Sequence, residues 1–175
     1  IYGGVGPLSH TIFEQQLLAS RHRRGARSDQ DYPVWLLVSA SSTPNRMASL
    51  AGTGGDAEPY LRHYAQLIER AGADVLFVVC NTAHAYHESV QRSLGIPWVH
   101  LMDVTVGHIR QALPEVSRVG VLATDGTLAA RLYDRALAGR GLEAVVPAVG
   151  SDPQRLVMES IFDPEWGIKA TGATV

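Results

Sequence analysis

Ala73-Asp74-Val75-Leu76-Phe77-Val78-Val79-Cys80, followed by Asn81-Thr82-Ala83-His84, is the stretch on which the fold turns. After Asp74 every residue up to Cys80 is apolar, with no polar alternation. A strand half-exposed to water alternates apolar and polar residues; a strand covered on both faces does not. The run therefore predicts a strand in the middle of a parallel sheet, with helices on both sides. Upstream, residues 57–71 have helical periodicity, with Leu61, Tyr64, Leu67 and Ile68 turned inward. Downstream, residues 84–93 read as a short helix and 96–101 as a strand with Pro97 near its start.

The same alternation extends in both directions. Ile1-Tyr2 reads as the end of a strand entering the turn Gly3-Gly4-Val5-Gly6-Pro7. Leu8 to Arg21 is an amphipathic helix with Ile12, Phe13, Leu17 and Leu18 on one side, and Tyr32 to Ser39 is a buried strand. Beyond residue 103 the order is helix 104–113, strand 118–124, helix 126–140, strand 142–148 and a helix from Asp152. Strands alternating with helices specify an α/β fold of the doubly wound, parallel-sheet kind. The passage around Met102 to Gly107 divides the chain into two similar α/β domains facing a cleft, residues 1–103 and 104–175, the second incomplete. Both ends read as cut: strand residues are expected before Ile1, and no helix or closing strand is predicted at the end, 172–175.

Composition narrows the function. The 175 residues are 46% apolar and 18% charged, with a formal charge of −2. That balance describes an ordinary globular protein and offers no electrostatic reason for nucleic acid or an anionic membrane as partner. No apolar run approaches the roughly 20 residues needed to span a bilayer. The single cysteine cannot form an internal disulfide, which assigns the chain to a reducing cytoplasm. Lys169 is the only lysine. Cys80 and scattered histidines do not make a metal coordination set, so no metal is expected.

In doubly wound folds ligands bind beyond the carboxyl ends of the strands. Cys80-Asn81-Thr82 and Thr124-Asp125-Gly126-Thr127 both fall there. Cys80 has two readings, a small buried hydrophobe or a thiol whose thiolate is favoured at a helix N-terminus. Asn81 and Thr82 can hydrogen-bond the sulfur or a bound carboxylate, and His84 either caps the turn or assists proton transfer.

Five segments in order resemble the aspartate/glutamate racemase family, in its aspartate racemase branch. Gly3-Gly4-Val5-Gly6-Pro7-Leu8 is similar to the family's N-terminal glycine loop, and Pro44-Asn45-Arg46 to its Pro-Asp-Arg segment. Cys80-Asn81-Thr82-Ala83-His84 resembles its first catalytic motif. Leu122 to Thr127 resembles the loop opening the second domain's binding surface, and Gly167-Ile168-Lys169-Ala170-Thr171-Gly172 its Gly-Ile-Lys segment with one residue more. The resemblance implies a racemase without a cofactor, in which Cys80 is one of two catalytic thiols and Arg46 and Lys169 each receive a substrate carboxylate. Asn81, Thr82, Thr124 and Thr127 complete the expected binding set, and the expected ligand is a small acidic amino acid; a homodimer is the assembly considered. Two departures stand out. Leu8-Ser9-His10 replaces the family's Ala-Thr after the glycine loop, and the second catalytic cysteine belongs beyond Lys169, where this sequence has none. An isomerase or one-cysteine decarboxylase of the same superfamily, or a non-catalytic acidic-ligand domain, are the alternatives.

Overall fold

A computed structural model describes residues 1–172; positions 173–175, within the end segment for which no helix or strand is predicted, lie outside the described residues. The first half is a parallel sheet on which Tyr2 is central. Strand β1, Tyr2–Gly3, pairs in parallel with β2, Val38–Ser39, in the register Tyr2 to Val38 and Gly3 to Ser39. On its other side Tyr2 bridges Val78, and Leu76 in turn bridges Trp98, both in parallel. The backbone bonds run Tyr2 N to Phe77 O at 2.7 Å, Val79 N to Tyr2 O at 3.1 Å and Leu76 N to Pro97 O at 2.9 Å. The all-apolar run is thus an inner segment of the sheet, but its two faces are not covered equally: Leu76 and Val78 are buried, Phe77 and Val79 only half-buried, and Val75 at its start is exposed.

Helices cover this sheet. Helix α1, Pro7–Arg23, begins with proline in its first turn, where a missing N–H costs nothing. Helix α3, Glu58–Arg70, follows the short α2, Arg46–Leu50, and buries Leu61, Ala65 and Ile68. These pack with Tyr2, Leu76, Val78, Val90 and Trp98 in the first core. A tight turn at Thr82–Tyr86 leads into α4, His87–Gln91, so the helix expected over 84–93 is two shorter pieces. Helix α5, Leu101–Ala112, then carries Met102 and Val106 inward.

The second half repeats the plan. Strands β3, Arg118–Gly120, and β4, Glu143–Val145, pair in parallel. Val106, Val121, Leu128, Leu137 and Leu142 form its core. The helix expected over 126–140 is broken at Arg131, whose φ of 52° puts it in the left-handed region, giving α6, Asp125–Ala129, and α7, Leu132–Ala138. The break lets α6 reach the interface while α7 buries Leu132 and Leu137. Helix α8, Asp152–Phe162, and the single turn α9, Ile168–Thr171, complete the described residues.

Three expectations about burial are corrected. The run Tyr32 to Ser39 is not a buried strand: only Val38–Ser39 is a strand, and Val34 is 96% exposed. It lies at the sheet edge, and Pro33 has no N–H to give to a ladder. Leu67 in α3 points to solvent, one step outside the stripe of Leu61, Ala65 and Ile68. Ile12 and Leu18 of α1 are exposed as well, since the edge run beside that helix covers only part of its apolar side.

Candidate functional site

The loops that leave the carboxyl ends of the strands converge on one cleft of about 230 Å³ between the two halves. Val5 and Gly6 follow β1, Arg46 follows β2, Cys80 to Thr82 end the inner segment, and Leu122 to Thr124 follow β3. The C-terminus of α8 and Lys169 in α9 close the remaining side. All seven residues singled out from the sequence, Arg46, Cys80, Asn81, Thr82, Thr124, Thr127 and Lys169, are in its walls. The cleft is smaller than the ~300–1,000 Å³ of drug-sized sites. A shallower apolar depression of about 490 Å³ between α2 and α6 shares only Asn45 and Met47 with it.

Arg46 is held rigidly. Its Nη1 donates to the carbonyls of Thr43 (3.1 Å) and Pro44 (2.9 Å) and its Nη2 to that of Val5 (3.2 Å), while Nε is buried with no partner. Asn45 caps α2, its side chain accepting from the N–H groups of Met47 and Ala48, which fixes the loop that presents Arg46. Lys169 places its ammonium 4.4 Å from the centre of the Phe162 ring. Partial burial, then the charge of Arg46, lowers its pKa, and the Cys80 sulfur pulls the other way. The two cations and the thiol therefore lie within each other's fields.

Thr82, Thr124 and Thr127 form a triangle of hydroxyls with oxygen separations of 2.9–3.1 Å, joining the first half to the second. Tyr133 donates to Oδ1 of Asn81 at 3.2 Å across the same interface. That bond leaves the Asn81 amide N–H groups as its free donors.

The glycine loop is tight. Gly4 has φ of 79°, and a Cβ there would stand 2.5 Å from Ala40 N. His10, one of the residues that depart from the family pattern, is buried and accepts from Gly4 N through Nδ1 at 3.1 Å. The departure therefore supports the loop from behind, while Ser9 is in the cleft wall.

A family model for Asp/Glu/hydantoin racemases matches residues 3–164. The chain belongs to that family. Within it, the chain is 29% identical over 146 residues to the broad specificity amino-acid racemase RacX of Bacillus subtilis (strain 168). The match takes in 83% of this chain and 62% of that relative, so the chain spans less than two thirds of the relative's length. The fold is that of an aspartate racemase from Picrophilus torridus, with a TM-score of 0.79 at 21% identity, covering 98% of this chain and 67% of the other. An aspartate racemase homologue from Pyrococcus horikoshii OT3 superposes with a TM-score of 0.66 at 26% identity, covering 91% and 69%.

Sequence reasoning did not pick out Ser9, Ile161 or Phe162 as cleft residues. Their side chains carry no chemical signature, and only the closeness of four strand ends brings them together. Nor did it group the histidines. His84, His87 and His100 gather around Trp98, with His87 and His100 ring centres 4.8 Å apart. Among the described residues no set of three or more His, Cys, Asp and Glu side chains is arranged to hold a metal ion. No helix there is long and apolar enough to cross a membrane.

Proposed function

We propose that this family member binds an acidic amino acid in the cleft and that Cys80 serves as one of two thiol acid/base groups in cofactor-independent racemisation at the α-carbon. The observation that carries the reading is the meeting of Cys80, Arg46 and Lys169 in one small cleft at the strand ends. With three of its five N–H groups held by backbone carbonyls and Nε buried, Arg46 offers a carboxylate a fixed positive charge and the remaining Nη2 proton. Lys169 supplies a compact charge for the second carboxylate. Asn81 N–H and the Thr82, Thr124 and Thr127 hydroxyls offer neutral donors, and the halves 1–103 and 104–175 are the two faces between which the ligand lies.

The chemistry follows from these groups. The α-hydrogen of an amino acid is weakly acidic, so its removal by a thiolate needs fixed positive charge and donors at the carboxylate, where negative charge develops. Cys80 takes or returns the proton on one face of the α-carbon. A second group must act on the other, and the only cysteine in this sequence is Cys80. In this reading the partner thiol is the family's downstream cysteine. A free thiol in this role suits a reducing cytoplasm.

Alkylation of Cys80 by iodoacetamide tests the binding half. Aspartate or glutamate should protect the thiol and alanine should not. Lys169→Gln, at an exposed position, should weaken that protection by about 1 kcal/mol, a several-fold rise in the protecting concentration. Equal protection by aspartate and alanine would remove the acidic-ligand reading. In a protein carrying the downstream cysteine, Cys80→Ser should stop racemisation in both directions while leaving one enantiomer able to exchange its α-hydrogen in deuterium oxide. Racemisation at the parent rate would exclude Cys80 as an acid or base.

A further inference from the structure

Cys80 stands at a point where the chain leaves its ladder. Its N–H turns back to Val78 O at 2.9 Å, and the tight turn that follows begins with His84 N bonding Asn81 O, not Cys80 O. The Cys80 carbonyl thus has no backbone donor from either the strand or the turn. The group that meets it is the His84 ring, with Nδ1 2.8 Å from the oxygen.

The other ring nitrogen is also committed. Trp98 Nε1 lies 3.2 Å from His84 Nε2. A carbonyl only accepts and an indole N–H only donates. Both contacts demand the same neutral form, with the proton on Nδ1 and the lone pair on Nε2. His84 is 3% exposed and Trp98 3% exposed, so water offers neither a substitute partner. Burial pushes the His84 pKa down to about 4, against the pull of the Cys80 and Val99 carbonyls and with the neighbouring His100 and His87 adding to it. That agrees with a ring that does not charge; of its partners only the Trp98 indole needs a ring nitrogen to accept. Trp98 is itself anchored: its backbone N–H donates to Gln91 Oε1 at 2.6 Å and its backbone carbonyl accepts from His87 Nε2 at 2.8 Å. The imidazole is not in the cleft wall; it borders the cavity on the other side of the turn, with His87 and His100.

We propose that His84 is a positioning residue: locked as the Nδ1–H tautomer by the Trp98 indole, it holds the Cys80 carbonyl and so fixes the turn that presents the Cys80 thiol to the cleft. This decides between the two sequence readings of His84, since a ring facing away from the cleft carries no proton to a substrate there. The inference rests on Cys80 being the working thiol, yet its test reads the thiol directly and needs no turnover.

The rate of Cys80 alkylation is followed against pH in the 175-residue chain, with folding checked by circular dichroism. His84→Ala should slow native-state alkylation or shift its pH midpoint so that the rate near neutrality changes about tenfold, as expected for a displaced reactive group. His84→Asn, whose amide N–H falls where Nδ1–H was, should recover most of the change; His84→Gln, which reaches toward Nε2, should not. In the unsubstituted protein, long-range proton–nitrogen correlation should show His84 protonated at Nδ1 alone, a readout independent of whether any variant folds. An Nε2–H tautomer, or recovery by Gln and not by Asn, would overturn the proposal. Failure of aspartate to protect Cys80, with the Asn rescue intact, would sink the acidic-ligand reading and leave this one standing.

Discussion

An imidazole held neutral in the interior leaves a mark on stability. His84 has its pKa lowered from 6.5 to about 4, chiefly by burial. Between those values the unfolded chain binds a proton that the native chain refuses. Its contribution is therefore complete above pH 6.5 and is lost as pH falls toward 4, at about 1.4 kcal/mol per unit and about 3 kcal/mol in all. Urea unfolding midpoints at pH 7 and pH 4.5 should fall further apart in the parent protein than in His84→Asn, which has nothing to titrate there. Equal pH dependence in the two would mean that His84 charges freely in the native state.

The glycine loop after β1 shows how an element constrains single positions. Gly4 combines φ of 79° with a would-be Cβ 2.5 Å from Ala40 N and 2.7 Å from both Ser39 C and Ser41 N, all backbone atoms that cannot swing aside. Gly4→Ala should destabilise the chain by at least about 2 kcal/mol, from left-handed strain alone before any clash. Gly141, also left-handed at φ of 69° but with open space around it, should cost less when changed to alanine. Urea melts of the two variants compare them, and equal costs would show that the close approach to β2 contributes nothing. The edge run 32–37 makes the opposite point. Its apolar residues promised a buried strand, yet Val34 is exposed, because burial depends on what lies beside a strand and not on its own composition.

At the scale of the molecule, the two halves meet through hydroxyls. Thr82 bonds Thr124 at 3.1 Å and Thr127 at 2.9 Å, and both Thr82 and Thr127 are buried. Replacing one by valine keeps the shape and removes two of the three contacts while the remaining pair stay bonded to each other, at a cost of about 0.5–1.5 kcal/mol. Thr82→Val and Thr127→Val should therefore cost less together than the sum of the singles, with a coupling of about 0.5–3 kcal/mol in a double-mutant cycle of urea unfolding. Additive costs would mean that the triangle does not join the halves. Removing Tyr133 OH tests the neighbouring contact less cleanly, because Asn81 is exposed and water can replace the phenol.

What the sequence determined by itself was the parallel α/β order and the strand ends where chemistry gathers. Unbroken apolarity from Val75 to Cys80 marks an inner sheet segment, and a polar Asn-Thr immediately after it has to emerge at an edge. Arg46 and Lys169 were named through the family resemblance, 123 positions apart. Only the tertiary structure decided that one cleft holds both beside the thiol, because bringing distant loops together is the work of sheet order and helix packing. It also decided the part of His84. Local sequence left capping and proton transfer equally open, since the partner that settles its tautomer, Trp98, lies on a neighbouring strand segment, reached through the parallel pairing of Leu76 with Trp98.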